Sequence, residues 1–238
     1  MKLPKLDSHI TAATLIALGI VCLGLCIKAG INDFTNKDRR VVVKGLAEKE
    51  VNADKVTWPI RSNELGNDLA ELYDRIGDTQ TKIKRFLLAN GVKESEITLG
   101  APKVVDLKAD QYSSEQKSYR YKITSTLTVT SSNVELVRGI ISRQGELLKD
   151  GVAVVGADYE APVVYEYTAF KDMKPKMMEE AIANAETTAQ QFAKNSKSRV
   201  GKIISADQGQ FSIEDRNTET PHIKKVRVVT TVTYSLKD

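Results

Sequence analysis

Residues 119–130, YRYKITSTLTVT, alternate strictly: Tyr119, Tyr121, Ile123, Ser125, Leu127 and Val129 fall on one side, Arg120, Lys122, Thr124, Thr126, Thr128 and Thr130 on the other. A period of two is that of a β-strand with one face buried and the other wet or partly covered, the pattern of antiparallel sheet. The polar stretch 108–117 reads as a hairpin loop to an earlier strand at residues 96–107, interrupted at Ala101-Pro102.

Working outward, residues 66–90 carry Leu65, Leu69, Leu72, Tyr73, Ile76, Ile83, Phe86 and Leu87 at helical spacing, with Asn90-Gly91 as the stop. Before them lie two strands. One is residues 40–51, with Gly45 read as a bulge or bend. The other is residues 55–62, where Pro59 donates no ladder hydrogen bond and so predicts an edge or a bulge. Asn133 caps a second helix whose core stripe is Val134, Val137, Ile140, Ile141, Leu147 and Leu148, and Asp150-Gly151 ends it. Residues 152–167 read as one bent or long strand broken near Pro162. A third helix spans residues 174–195 with Met177, Met178, Ala181, Ile182, Ala185, Ala189 and Phe192 on one side. Strands at 200–208 and 225–236 close the chain. The order β-β-α-β-β-α-β-α-β-β predicts an α+β fold, with antiparallel sheet and helices packed on one face. Residues 40–90 and 96–149 share a layout, without a residue-level repeat.

The N-terminus is a separate matter. Residues 10–27, ITAATLIALGIVCLGLCI, carry no charge and as a helix measure about 27 Å, enough to cross a bilayer core. The run exceeds a signal peptide's apolar region, and Ile27-Lys28-Ala29 is a poor cleavage site. The expected division is a cytoplasmic tail at 1–9, a transmembrane signal anchor at 10–29, a juxtamembrane linker at 30–39 and one α+β domain at 40–238. Lys2 and Lys5 on one side balance Lys28, Lys37, Arg39 and Arg40 on the other, so charge alone leaves the orientation open. The short tail before a lone apolar segment places the domain on the periplasmic or extracytoplasmic side. Ala13 and Ala17, like Cys22 and Cys26, recur at the four-residue interval that lets membrane helices approach closely.

Composition narrows the function. Of 238 residues 41% are hydrophobic, enough for a core; 35 basic and 31 acidic residues are interspersed, giving +4. That is a solvated surface rather than a nucleic-acid footprint. Both cysteines fall in the apolar stretch, so the domain has no disulfide or thiol chemistry.

The ordered set VVVKGLAEKEV (41–51), LLANGV (87–92), EITLGAPKV (96–104), YRYKITSTLTVTSSNVELV (119–137), LLKDGVAVVGADYE (147–160), EEAIANAETTAQQFA (179–193) and VRVVTTVTYSL (226–236) resembles the SIMPL domain family of secreted and envelope proteins. The resemblance covers about residues 40–237. It implies an α+β domain outside the cytoplasm, a role in envelope or stress physiology, and no settled biochemical activity. Two departures stand out: NADKVTWPI at 52–60 where a Pro-Asp pair is more usual, and a charged, irregular stretch after Glu214.

No catalytic, cofactor-binding or metal-binding residue is assigned. His9 and His222 are the two histidines, and a membrane would separate them. No zinc-protease motif, cysteine cluster or nucleophile elbow is present. Glu179 with Glu180, and Asp106 with Asp110, read as solvated carboxylates; Met173, Met177 and Met178 read as core rather than a soft-metal site. Tyr165 and Tyr167, two apart on one strand face, either stack on a ligand or pack across strands. Two function classes follow. The preferred one is a noncatalytic, membrane-anchored envelope protein that forms homo-oligomers or binds an envelope partner. The other is a small-ligand binder or enzyme of unrecognised type using a pocket lined by Tyr159, Tyr165 and Tyr167. The domain is expected to form oligomers through its sheet edges or its helix faces, in a closed ring or a dimer: Pro59 marks one exposed edge, and the terminal strand 225–236, with Arg227 the only charge between Val226 and Leu236, is expected to be another.

Overall fold

A computed structural model describes residues 8–36, 39–109, 118–155 and 161–237. The tail residues 1–7, most of the 108–117 loop, Asp110 and Tyr159 lie outside the described residues. The chain is α+β, with antiparallel sheet and helices. Its elements in order are α1 (Ser8–Asn36), β1 (Arg40–Asn52), β2 (Lys55–Gly66), α2 (Leu69–Ala89), β3 (Ile97–Leu99), β4 (Lys103–Asp106), β5 (Tyr121–Ser131), α3 (Val134–Ser142), β6 (Val154–Val155), β7 (Val164–Glu166), α4 (Phe170–Asn195), β8 (Arg199–Gln208), β9 (Ser212–Asp215) and β10 (Ile223–Lys237). Two compact units divide it: Lys49–Met173 with Ile213–Val226, and Met1–Glu48 with Lys174–Ser212 and Arg227–Asp238.

In the first of these units, β2 and β5 pair antiparallel from Val56↔Ser131 to Gly66↔Tyr121 without a shift. Because side chains alternate, Val56, Trp58, Ile60, Leu127 and Val129 share one face, and all are buried. Ile83 and Leu87 of α2, Val134, Val137 and Ile140 of α3, and Leu147 complete that core. The Asp68 carboxylate caps α2 by accepting the N–H groups of Ala70 and Glu71 at 2.8 and 3.1 Å. Asn133 does the same for α3 through Leu136 N–H, 3.2 Å. Gly91 and Gly151, at φ 93° and 74°, supply the left-handed turns that end these helical stretches.

Three expectations change here. The second helix ends at Ser142, and residues 144–150 continue as a 3-10 helix. With about three residues per turn, that segment turns Leu147 inward and leaves Leu148 64% exposed. Residues 152–167 form two short strands, not one. Strand β2 is no edge: β5 lies on one side, and β6 and β7 on the other. Pro59 falls between β7, which pairs with residues 55–57, and β6, which pairs with 61–62, so the proline occupies an interval where that ladder is interrupted.

In the other unit, β10 pairs with β1 and with β8. The terminal strand is therefore central, its backbone groups are engaged on both sides, and its expected role as an open edge is overturned. Helix α4 buries Met177, Ala181, Ala185, Ala189 and Ala193 at intervals of four. Ile182 and Phe192, expected on that stripe, are exposed. The reason is the narrowness of an alanine contact, which brings the helix backbone down onto β1 instead of spreading side chains over the sheet. Gly45 marks this approach rather than a bulge: a Cβ there would overlap the Ala181 carbonyl oxygen and lie 2.8 Å from Ala185 Cβ.

Helix α1 runs past the uncharged stretch into the expected linker, since residues 30–36 contain no proline to stop it. Among the described residues no helix is long and apolar enough to cross a membrane. The transmembrane reading of residues 10–29 thus draws no support from the fold.

Gly45→Ala is expected to destabilise the protein by about 3 kcal/mol, at the upper end for overpacking, because backbone rather than a side-chain tip must yield. Urea unfolding of the variant beside the parent checks it; an unchanged midpoint would contradict the close-approach reading.

Candidate functional site

The register Val56↔Tyr165 puts the Tyr165 side chain on the core-facing side of β2. Its ring meets His222 edge to face, with centroids 6.1 Å apart and planes at 65°. The His222 carbonyl accepts the Ala53 N–H at 2.8 Å, which fixes the backbone beneath the ring. Around the pair stand Glu135 and Arg138 of α3, joined by bonds of 2.9 and 3.0 Å, and Arg216, which reaches Thr220 at 3.1 Å and Glu50 at 3.4 Å.

Burial pushes the Tyr165 phenol above its ordinary value, with Arg138 pulling it down and Glu135 raising it. Burial likewise holds the His222 imidazole below 6.5, reinforced by Arg138 and Arg216 and opposed by Glu135. A neutral imidazole against a neutral phenol is a packing contact. Neither group is aimed at a nucleophile, and a centroid separation of 6.1 Å is not the geometry of an acid-base pair.

Sequence reasoning treated His222 as solitary and joined Tyr165 to Tyr167. The structure does the reverse. Tyr167 lies beyond β7, and its hydroxyl donates to the Ala169 carbonyl at 3.4 Å. Elsewhere Met173 and Met177 are buried as expected, Met178 is half-buried, and Glu179 and Glu180 are exposed. Asp106 is held by Arg120 at 3.1 Å. Cys22 and Cys26 are exposed on α1. Among the described residues no three His, Cys, Asp or Glu side chains are placed to hold a metal.

What the sequence reading missed is backbone. Among the described residues strand β8 pairs only with β10, and residues 202–208 are exposed, with Ile203 at 53% and Ile204 at 51%. Among the described residues strand β3 pairs only with β5, and beside it opens a groove of about 270 Å³ lined by Gln80, Thr81 and Lys84 of α2 with Glu94, Ile97 and Leu99. Two other cavities, of about 360 and 280 Å³, lie along α2 near Asp150 and along α4 at Phe192. The break at Ala101-Pro102 was the one sequence signal that β3 had to be short.

The lowered imidazole pKa has a definite sign. The unfolded chain binds the proton more readily, so this group's contribution to stability is present above pH 6.5 and is lost as pH falls through the lower folded value. In an NMR titration His222 is expected to titrate below 6.5, and Arg138→Gln to move the midpoint upward by removing a cation and freeing Glu135. A midpoint unmoved by that change would disprove the coupling.

No curated protein matches the chain. Residues 41–234 match the family described as SIMPL, protein of unknown function (DUF541). That span runs from the second residue of β1 into β10 and takes in α2, α3 and α4. The ordered motifs, the α+β fold and this match agree, and the chain belongs to the SIMPL family.

Proposed function

We propose that the protein is a noncatalytic envelope component, tethered to a membrane through residues 10–29 and self-associating through the open edge of β8. The observation that carries the association is that edge. From Lys202 to Gln208 every residue is exposed, and two isoleucines stand where a guarded edge would carry charge. Gly209 donates to the Val229 carbonyl at 2.9 Å, so by alternation Asp207 and Ser205 also face β10, while Ala206 and Gln208 present their N–H and C=O outward.

The ground for the tether lies in the sequence, where residues 10–27 carry no charge; along α1 Leu15, Ile16, Leu18, Ile20, Val21, Leu23, Leu25 and Ile27 are all more than half exposed. A helix apolar all round is stable only when surrounded by lipid or protein. The unbroken run of uncharged residues 10–27 is the ground for choosing lipid, and the resemblance to secreted and envelope proteins is the ground for placing the domain outside the cytoplasm. The tyrosine-lined alternative draws less support, since the cavities described open elsewhere and Tyr165 is already packed against His222.

Light scattering of the full chain in detergent should give a mass above one chain. Ala206→Pro, which deletes an outward N–H without touching the ladder to β10, should return it to one chain with circular dichroism unchanged. Wild-type protein that stays at one chain at high concentration refutes association through this edge. Separately, alkaline carbonate should leave the protein in the membrane pellet; release to the supernatant would sink the tether.

A further inference from the structure

We propose that the β3 edge and the groove beside it form a receptor for an extended polypeptide segment. The segment would add to the sheet as a further strand, with aliphatic side chains turned toward α2 and a carboxylate near Lys103. This site is independent of β8 and does not rest on self-association.

The backbone is poised for it. Gly100 donates to the Thr126 carbonyl at 2.9 Å, and the register Thr98↔Thr128 places Thr98 in the same inward-facing set. Alternation then turns Ile97 and Leu99 outward. The Ile97 N–H is taken by the Glu94 carbonyl, which leaves the Leu99 N–H and C=O as the groups a new strand would meet.

The side chains agree. Leu99 is opposite Leu127, and Val104 is opposite Ile123, so both occupy the face that α2 and α3 cover elsewhere. Yet Leu99 is 51% and Val104 48% exposed, because α2 lies over β2 and β5 and stops short of the edge. Short strands and lysines protect many edges. A merely protected edge would not keep leucine and valine at core-facing positions beside an open groove. The Lys84–Glu94 ion pair, 2.6 Å, and the Gln80 amide, which donates to Ser125, form the groove's polar wall. Next along the edge comes Lys103, opposite Thr124, and one strand in from it on the same face stands Lys122 of β5, opposite Val105; neither lysine has an anionic partner among the described residues. Apolar positions at alternate residues, followed by unneutralised cations, match a strand with aliphatic residues at alternate positions and an acidic end. Edge pairing supplies affinity in such complexes and the alternate pockets supply specificity.

The probe is the peptide EVTVTVE, blocked at both ends, added to the full chain in detergent and followed by residue-resolved hydrogen exchange. Without peptide, the Leu99 amide should exchange much faster than those of Thr98 and Gly100. With millimolar peptide it should slow by about tenfold or more. Leu99→Pro removes the outward donor and spares the inward ones, so it should abolish peptide binding, which for the Leu99 variants is read by titration calorimetry because proline has no amide to follow. If that variant does not fold, Leu99→Asp tests the same groove with the backbone intact. Lys103→Glu should weaken binding about fivefold or more, while Lys82→Glu should not. Unchanged Leu99 exchange at saturating peptide, protection confined to β8, or equal binding by the Leu99 variants would each overturn the proposal.

Discussion

The uninterrupted ladder between β2 and β5 is the constraint on which the larger unit depends. From Val56↔Ser131 to Gly66↔Tyr121 no bulge shifts the register. Every apolar residue of both strands is thereby committed to a face before any helix docks. A slip of one residue would turn the apolar set of one strand to the outside, either Val56, Trp58 and Ile60 or Leu127 and Val129, at about 1.5–3 kcal/mol for each side chain. Helices α2 and α3 then have one surface to cover, and their stripes of Leu72, Ile76, Ile83 and Leu87, and of Val134, Val137 and Ile140, are spaced to cover it. The short strands β3, β4, β6 and β7 only extend a sheet whose faces are already decided.

The second unit obeys a different constraint, the absence of side-chain volume. Gly45 on β1 and the alanines at 181, 185, 189 and 193 remove the atoms that ordinarily separate a helix from a sheet. The backbones meet closely enough for the Asn184 side chain to donate to the Leu46 carbonyl at 2.7 Å. Close approach has a cost in coverage. An alanine stripe contacts a narrow band of sheet, so Phe192 and Ile182 are left in the open, and with them the isoleucines of β8.

This explains what the sequence disclosed and what it withheld. Residues 119–130 announced β5 because the alternation has no exception, and Asn133, Asn90-Gly91 and Asp150-Gly151 marked helix ends because local hydrogen bonds and left-handed turns are sequence-near effects. Pro59 misled because proline forbids a hydrogen bond at one residue, not along a strand. The interval between β6 and β7 satisfies that demand within a central strand. The terminal strand misled for the complementary reason: the regular alternation of Val226, Val228, Val232 and Tyr234 describes the middle of a sheet as well as its edge, and its partners β1 and β8 decide. Tyr165 and His222 are far apart in sequence, so their contact was invisible.

Among the described residues the open backbone donors and acceptors of β8 and β3 therefore sit at sheet margins rather than in a polar cleft. Tyr165, His222, Glu135 and Arg138 are engaged with one another, and Arg216 with Glu50 and Thr220. Beta-sheet margins present a different chemistry, since a backbone edge offers directional donors and acceptors whatever its side chains are. The chain treats its margins unequally. On β1 a helix side chain takes up the Leu46 carbonyl; on β8 and β3 the outward groups stand beside exposed isoleucine or leucine. A margin that is short, as β3 is, can pair only weakly unless a second surface adds contact area, and the groove under α2 is such a surface. A margin that is long, as β8 is, needs no groove, because successive backbone bonds suffice. Length alone thus separates the two edges: β8 suits a like strand met along its whole run, and β3 suits a short segment held jointly by backbone and groove.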